Sequence, residues 1–211
     1  LGSVKNFHYE KEAASNDLYH FMSTRNGFDQ VRILDTLGLE LIRINAGSKP
    51  IIVDSSDLQN KSNRSYFKNA HQLQKGEFYT SSMSLNMERG VVEIPRKPVI
   101  RLISPIYKGD QKVGYLVINF LILHLLDNYN LDIPNGNRFD IIDDNGTSLI
   151  ALMGKNHLRE NNFPKHKLQN STNNSKKHLT QFEDDKYYYM AVQMNTKNSR
   201  SEFSYKLSSS K

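Results

Sequence analysis

The sequence predicts an α+β chain, in which a long N-terminal helix precedes two tandem modules, each an antiparallel sheet flanked by helices. Three observations carry this reading. Apolar residues return at helical spacing over 4–22. Strand-like runs, a short helix, a returning pair of strands and a second helix then follow in that order as far as residue 130. After Pro134-Asn135-Gly136 a new strand set begins, with its own hairpin turn at Asp144-Asn145-Gly146.

Each element has its own signal. Val4, Phe7, Ala14, Leu18, Phe21 and Met22 mark one face of an amphipathic helix that Gly27 stops, so the helix is assigned to 1–26. Strands are expected at 30–37, 39–45 and 50–54, broken at Gly38, Gly47 and Pro50, and together they make a three-strand meander. Residues 55–62 read as polar loop, and 66–74 as a short helix closed by Lys75 and Gly76. Strands return at 78–85, 98–107 and 113–120, with turns at Arg89-Gly90 and Lys108-Gly109-Asp110, and the last two pair as a hairpin. Leu121, Ile122, Leu125, Leu126 and Tyr129 then share one helical face and close the first module, 27–130. The second module, 131–211, is thinner. Its strands at 138–143 and 147–153 flank the Asp-Asn-Gly turn, 156–177 is polar, and 187–194 and 203–207 alternate as strands. No residue-level repeat links the two modules.

Composition sets outer limits. A chain of 211 residues accommodates two modules of about 100 residues, each with a core of its own. Apolar residues at 37% and charged residues at 24% exclude a disordered chain. The absence of cysteine excludes a disulfide framework, a thiolate nucleophile and Cys-based metal sites, but leaves the compartment open. The formal charge of +6 is scattered among acids, and the densest basic tract, 165–177, reads as a solvated loop, so no nucleic-acid partner is expected. No apolar run reaches the roughly 18 residues of a membrane span and no signal peptide opens the chain. The chain begins inside a helix, as a region lying between two membrane spans would.

Catalytic signatures are missing. The seven histidines are dispersed without metal-ligand spacing, and HExxH, GxSxG, a P-loop and GxGxxG are all absent. Asp140, Asp143 and Asp144 with Asn145-Gly146 lack the rest of a calcium-loop register and its closing Glu, so a hairpin turn explains them. Neither enzymatic activity nor a metal or other cofactor is expected.

A series of short motifs adds a resemblance. Arg64-Ser65-Tyr66-Phe67, Gly76-Glu77-Phe78-Tyr79, Ser81, Leu85-Asn86, Glu93-Ile94-Pro95, Pro98-Val99-Ile100-Arg101 and Pro105-Ile106-Tyr107 occur in an order that resembles the double Cache sensor domains. These tandem PAS-like domains, also called PDC domains, sit outside the membrane in bacterial histidine kinases, diguanylate cyclases and chemoreceptors. The resemblance covers Val4 to Phe120, and beyond that only the architecture is similar. It implies two PAS-like modules in the periplasmic region of an inner-membrane protein, with flanking membrane spans and a kinase or GGDEF output domain outside this chain. The membrane-distal module, 27–130, would carry a small-molecule pocket, and the membrane-proximal module, 131–211, would lead to the second span. Pocket positions carried over from the family are Arg64, Tyr66, Phe67, Tyr79, Ser81, Arg101 and Asn119. Amino-acid-binding members use a Trp near the pocket and an Asp after the last strands. This chain has no Trp and has Asn119-Phe120 where the acid would be useful, which argues against an amino-acid ligand.

The residue chemistry of those positions suits a small polar or carboxylate ligand. A guanidinium offers a permanently charged donor fork that matches a carboxylate. Arg101 shares a strand face with Val99 and Ile103, so burying it without a partner would cost several kcal/mol, and its partner is either a ligand or Glu93. Arg64 enters a helix and either meets a cleft or stays a solvated surface cation. Tyr66 and Tyr79 suit a pocket wall or a core, and Phe67 suits a core. The N-terminal helix carries an apolar stripe that homodimerisation would bury. The expected function is ligand sensing for a transmembrane receptor; the alternative is a soluble hydrolase or solute-binding protein using PAS-like modules, with 156–177 as a lid.

Overall fold

The computed structural model describes residues 2–124, 133, 137–142, 148–153, 179–183, 187–195 and 202–210. The chain forms two compact units, Leu1–Ser81 with Ile100–His124, and Ser82–Val99 with Leu125–Lys211.

The first unit opens with helix α1 (Gly2–Ser23), after which Gly27, at a φ of 91°, turns the chain into the sheet. Strands β1 (Phe28–Leu34), β2 (Glu40–Asn45) and β3 (Ile51–Ile52) form the expected meander. Helix α2 (Ser65–Ala70) and the short strand β4 (Tyr79–Thr80) follow; the two-residue strands β5 (Ser84–Leu85), β6 (Met87–Glu88) and β7 (Val91–Val92) come next in the chain and fall in the second unit, as do the first two residues of the long strand β8 (Pro98–Lys108), which returns to the first unit and is followed there by β9 (Gln111–Leu121). The sheet order is β3-β2-β1-β9-β8-β4, and β5 pairs with the start of β8. The last long strand thus returns to lie beside the first.

Register gives this sheet two distinct faces, because side chains alternate along each strand and cross-strand partners point the same way. Val31 stands opposite Ile44 and Ile118, and Ile33 opposite Ile42 and Leu116. This apolar face packs against Ala14, Leu18, Phe21 and Met22 of α1. From Ala14 onward the helix stripe is therefore covered by the chain's own sheet. On the other face Leu34, Ile103, Tyr115 and Val117 pack with Tyr66, Phe67 and Ala70 of α2. Each such side chain contributes about 1.5–3 kcal/mol when fully buried.

Local chemistry accounts for the places where elements differ from expectation. The strand expected at 30–37 stops at Leu34 because the Asp35 carboxylate accepts from the Leu37 and Leu39 amides, both at 2.8 Å, in a turn that Gly38 completes at a φ of 87°. Residues 55–62, expected as loop, include a 3₁₀ turn at Ser55–Asp57. Asp54 caps it by accepting from the Ser56 amide and hydroxyl, and these bonds hold the Asp54 carboxyl below its ordinary value. The helix expected at 66–74 spans Ser65–Ala70 and ends in a turn in which the Leu73 amide donates to the Ala70 carbonyl. The strand expected at 78–85 is split into β4 and β5 because Ser81 replaces a ladder rung: its Oγ accepts from the Arg101 amide at 2.9 Å, while its own amide donates to the Arg101 carbonyl at 2.8 Å. The Arg89-Gly90 turn joins β6 and β7, with φ of 50° and 79°, the left-handed pair that a tight hairpin requires.

In the second unit β10 (Asn137–Ile142), β11 (Ser148–Met153), β12 (Leu179–Glu183), β13 (Tyr187–Asn195) and β14 (Glu202–Ser210) form an antiparallel sheet in the order β11-β10-β14-β13-β12. Leu149, Ile150, Ala151 and Leu152 are buried. Strand β12 was not anticipated, since its five residues follow directly on a polar tract. The same unit holds Glu93, which accepts from Asn86 at 2.9 Å and pairs with Lys97. The Asp144-Asn145-Gly146 turn, the tract 156–177, the helix residues 125–129 and the expectation of helices flanking the second sheet all lie outside the described residues.

Candidate functional site

The face of the first sheet beneath α2 carries an unusual concentration of buried polar side chains. Gln30, Arg32, Glu40, Arg43, Lys61, Ser81, Arg101 and Asn119 are each at most 6% exposed. Register explains the convergence: Gln30 lies opposite Asn119, Arg32 opposite Arg43, and a shift between Ile33 and Leu34 brings Glu40 opposite Leu34.

Glu40 is the hub. Its Oε1 lies 2.9 Å from Arg32 Nε and 3.7 Å from Lys61 Nζ, and its Oε2 accepts from Arg43 Nη1 at 3.0 Å and from the Gln59 amide at 2.9 Å. One carboxylate therefore separates two arginines that face each other across neighbouring strands, where like charges alone would repel. The same contacts dock residues 57–61 on β2: Arg43 Nη2 donates to the Asp57 carbonyl at 3.1 Å, and the Glu40 amide donates to the Gln59 carbonyl at 3.0 Å. That segment leads directly into α2.

Arg32 also reaches sideways. Its Nη1 donates to Asn119 Oδ1 at 3.1 Å and its Nη2 donates to Gln30 Oε1. Asn119 Nδ2 donates to the same Gln30 oxygen at 3.2 Å, closing a ring of three side chains.

Of the positions singled out in the sequence, Tyr66 and Ser81 meet Arg101. Its guanidinium lies 4.9 Å over the Tyr66 ring, and its backbone is clasped by Ser81. Tyr66 and Phe67 belong to the apolar cluster under α2, where Phe67 packs edge-on against Tyr115 at 5.3 Å, and Tyr79 lies against that cluster with its hydroxyl accepting from Asn69 at 2.9 Å. Asn119 belongs to the Arg32 ring. Arg64 is half-buried at the residue before α2, where its carbonyl accepts from the Phe67 and Lys68 amides. Gln30, Arg32, Glu40, Arg43 and Lys61 were missed in the sequence. A signal was present in β1, where Gln30 and Arg32 alternate with Val31 and Ile33, so that one face of a core strand is polar. Among the described residues no group of three metal-ligating side chains occurs and no helix is long and apolar enough to cross a membrane.

Comparison with known proteins adds context to this geometry. A family model described as bacterial histidine kinase, sensor domain, matches residues 7–190. Among solved structures the chain is similar to the extracellular domain of a candidate histidine kinase, vpHK1S-Z8, with 21% identity and a TM-score of 0.68 over 95% of this chain and 74% of that one. It is similar to a domain of a candidate sensory box/GGDEF family protein from Vibrio parahaemolyticus, with 19% identity and a TM-score of 0.68 over 96% and 79% of the two chains. The ligand-binding domain of the Campylobacter jejuni chemoreceptor Tlp3, in complex with L-norvaline, is similar at 10% identity and a TM-score of 0.52, covering 94% of this chain and 72% of that one. At these identities the likeness is one of fold. No curated protein matches the chain in sequence.

Proposed function

The chain belongs to the family of bacterial histidine kinase sensor domains, and from that premise we propose that it is the extracytoplasmic ligand-sensing region of a transmembrane receptor with a histidine kinase or GGDEF diguanylate cyclase output. The region is a sensor domain and not an enzyme. Residues 27–130 act as the membrane-distal module and hold a small polar or carboxylate ligand; residues 131–211 act as the membrane-proximal module, and membrane spans flank the two. The receptor works as a homodimer through its N-terminal helix, 1–26, and its sensor faces the periplasm.

The observation that carries the ligand reading is Arg101, 2% exposed, set over the Tyr66 ring in a core strand and held at its backbone by Ser81. A buried guanidinium in an aromatic setting is suited to anion recognition. Arg64, Tyr66, Phe67, Tyr79, Ser81, Arg101 and Asn119 line or support the pocket. Ligand binding shifts the position of α1 on the sheet only so far as the ligand prefers one arrangement over the other.

Thermal-shift screening of carboxylates, amino acids and sugars, followed by calorimetry of the hits, tests this. Arg101→Gln is expected to weaken the best hit at least tenfold, about 1.4 kcal/mol, and Arg64→Ala to weaken it less. Hits that bind both variants as tightly as the parent chain would place the pocket elsewhere.

A further inference from the structure

We infer that Tyr115 is a further ligand-binding residue, whose phenol hydroxyl donates beneath α2 to an oxygen of an acid or carbonyl compound with an apolar body. The ligand site proposed above is the premise, and the step beyond it is carried by a fully buried hydroxyl without a partner.

Tyr115 lies on β9 opposite Leu34 of β1 and is 0% exposed. Its ring is fixed from the side of α2: Phe67 packs edge-on against it at 5.3 Å, and the ring of His71, which follows the helix, lies at 6.1 Å. The hydroxyl oxygen is buried too, yet it meets no donor or acceptor among the described residues. Buried hydroxyls are as a rule hydrogen-bonded, because folding takes away their bond to water. Tyr79, which packs against the same cluster, follows the rule and accepts from Asn69 at 2.9 Å. Tyr115 does not, and phenylalanine would fill the same space without that loss. A molecule held beneath α2 supplies the missing bond. Tyr115 shares its buried cluster with Tyr66, over whose ring Arg101 lies, so the hydroxyl belongs to the face proposed to hold a ligand.

The surroundings select the partner. Lys112 Nζ is fixed by donating to the His71 and Leu73 carbonyls, at 3.1 and 2.6 Å, and lies 5.6 Å from the centre of the Tyr115 ring. Positive charge beside the phenol favours an electron-rich oxygen as the partner of its O–H. Leu34, Phe67, Ala70 and Val117 make the rest of the wall apolar. A sugar would bring to that wall several hydroxyls that it cannot bond, whereas an acid or ketone brings one oxygen to Tyr115 and hydrocarbon to its neighbours.

Tyr115→Phe removes the single oxygen and tests this on the full chain. Urea unfolding of the protein alone reads the hydroxyl without a ligand; calorimetry with isovalerate, 4-methyl-2-oxopentanoate, benzoate and glucose reads the bound state. The variant is expected to unfold at the same or a higher urea concentration than the parent, and to bind the acids about fivefold more weakly or worse, the effect of one hydrogen bond. Glucose is expected not to bind. A lower urea midpoint for Tyr115→Phe means that the hydroxyl is already bonded within the fold, and overturns the inference. Equal affinities of parent and variant for the acids overturn it as well, and leave the ligand site standing where Arg101→Gln still weakens them. Glucose bound as tightly as the acids overturns the class of ligand. A parent chain that binds none of the acids overturns the inference, and if the wider screen proposed above also yields no hit, the ligand reading falls with it.

Discussion

Arg32 and Arg43 stand opposite each other on adjacent strands, 1% and 6% exposed, with the Glu40 carboxylate between them. Replacing such an arrangement by apolar residues can be neutral, but removing one partner leaves buried charge uncompensated at a cost of about 3–5 kcal/mol. Glu40→Gln is accordingly expected to lower stability by about that amount, read as a lower urea midpoint at unchanged slope. A loss below about 1 kcal/mol would mean that water reaches the cluster and screens it. At this scale the sequence was partly legible. Arg101 could be placed on a core face because Val99 and Ile103 flank it at the strand period, and it is buried there. Glu40 and Arg43 could not, because they sit three residues apart on one strand and reach the same cluster only through the register shift at Ile33 and Leu34, which alternation alone does not reveal.

At the scale of elements, β1 and β9 lie unusually close where Gly114 meets the backbone of Leu34: a methyl group on Gly114 would press on the Leu34 carbonyl oxygen. That contact is backbone and cannot swing away. Gly114→Ala is therefore expected to cost about 1–3 kcal/mol, while Gly109→Ala, with nothing near its added carbon, would be disfavoured only by its left-handed φ of 61°. Equal thermal stability for the parent and Gly114→Ala would show that the strands can separate without penalty. The long elements were readable because period and punctuation agree in them: α1 ends before a glycine, and β8 and β9 flank a Gly-Asp turn. The short ones were not. Strands β6 and β7 have two residues each and carry no period, and the break between β4 and β5 depends on a serine hydroxyl standing in for a carbonyl.

Over the molecule as a whole, the apolar side chains of α1 from Ala14 to Met22 are already committed to the sheet. The proposed dimer must then draw on the helix before Ala14. Light scattering of the full chain is expected to give a dimer that Phe7→Glu dissociates, whereas Leu18→Glu unfolds the first unit. A monomer at every concentration, with or without ligand, would remove the dimer. The order of helix, meander, short helix and hairpin was legible from residue 4 to 120 because turn residues punctuate it. The second sheet was legible as strands but not in its order, since pairing β10 with β14 joins residues about 70 positions apart, a closure that local pattern cannot specify.

Strand β1 is one peptide thick, with Gln30 and Arg32 on one side and Val31 and Ile33, the seat of α1, on the other. The buried polar ring and the seat of the helix share a single backbone, so neither can be refitted alone. A substitution at Gln30 or Arg32 would therefore be felt in the bearing under α1, and one at Val31 or Ile33 in the polar ring behind it.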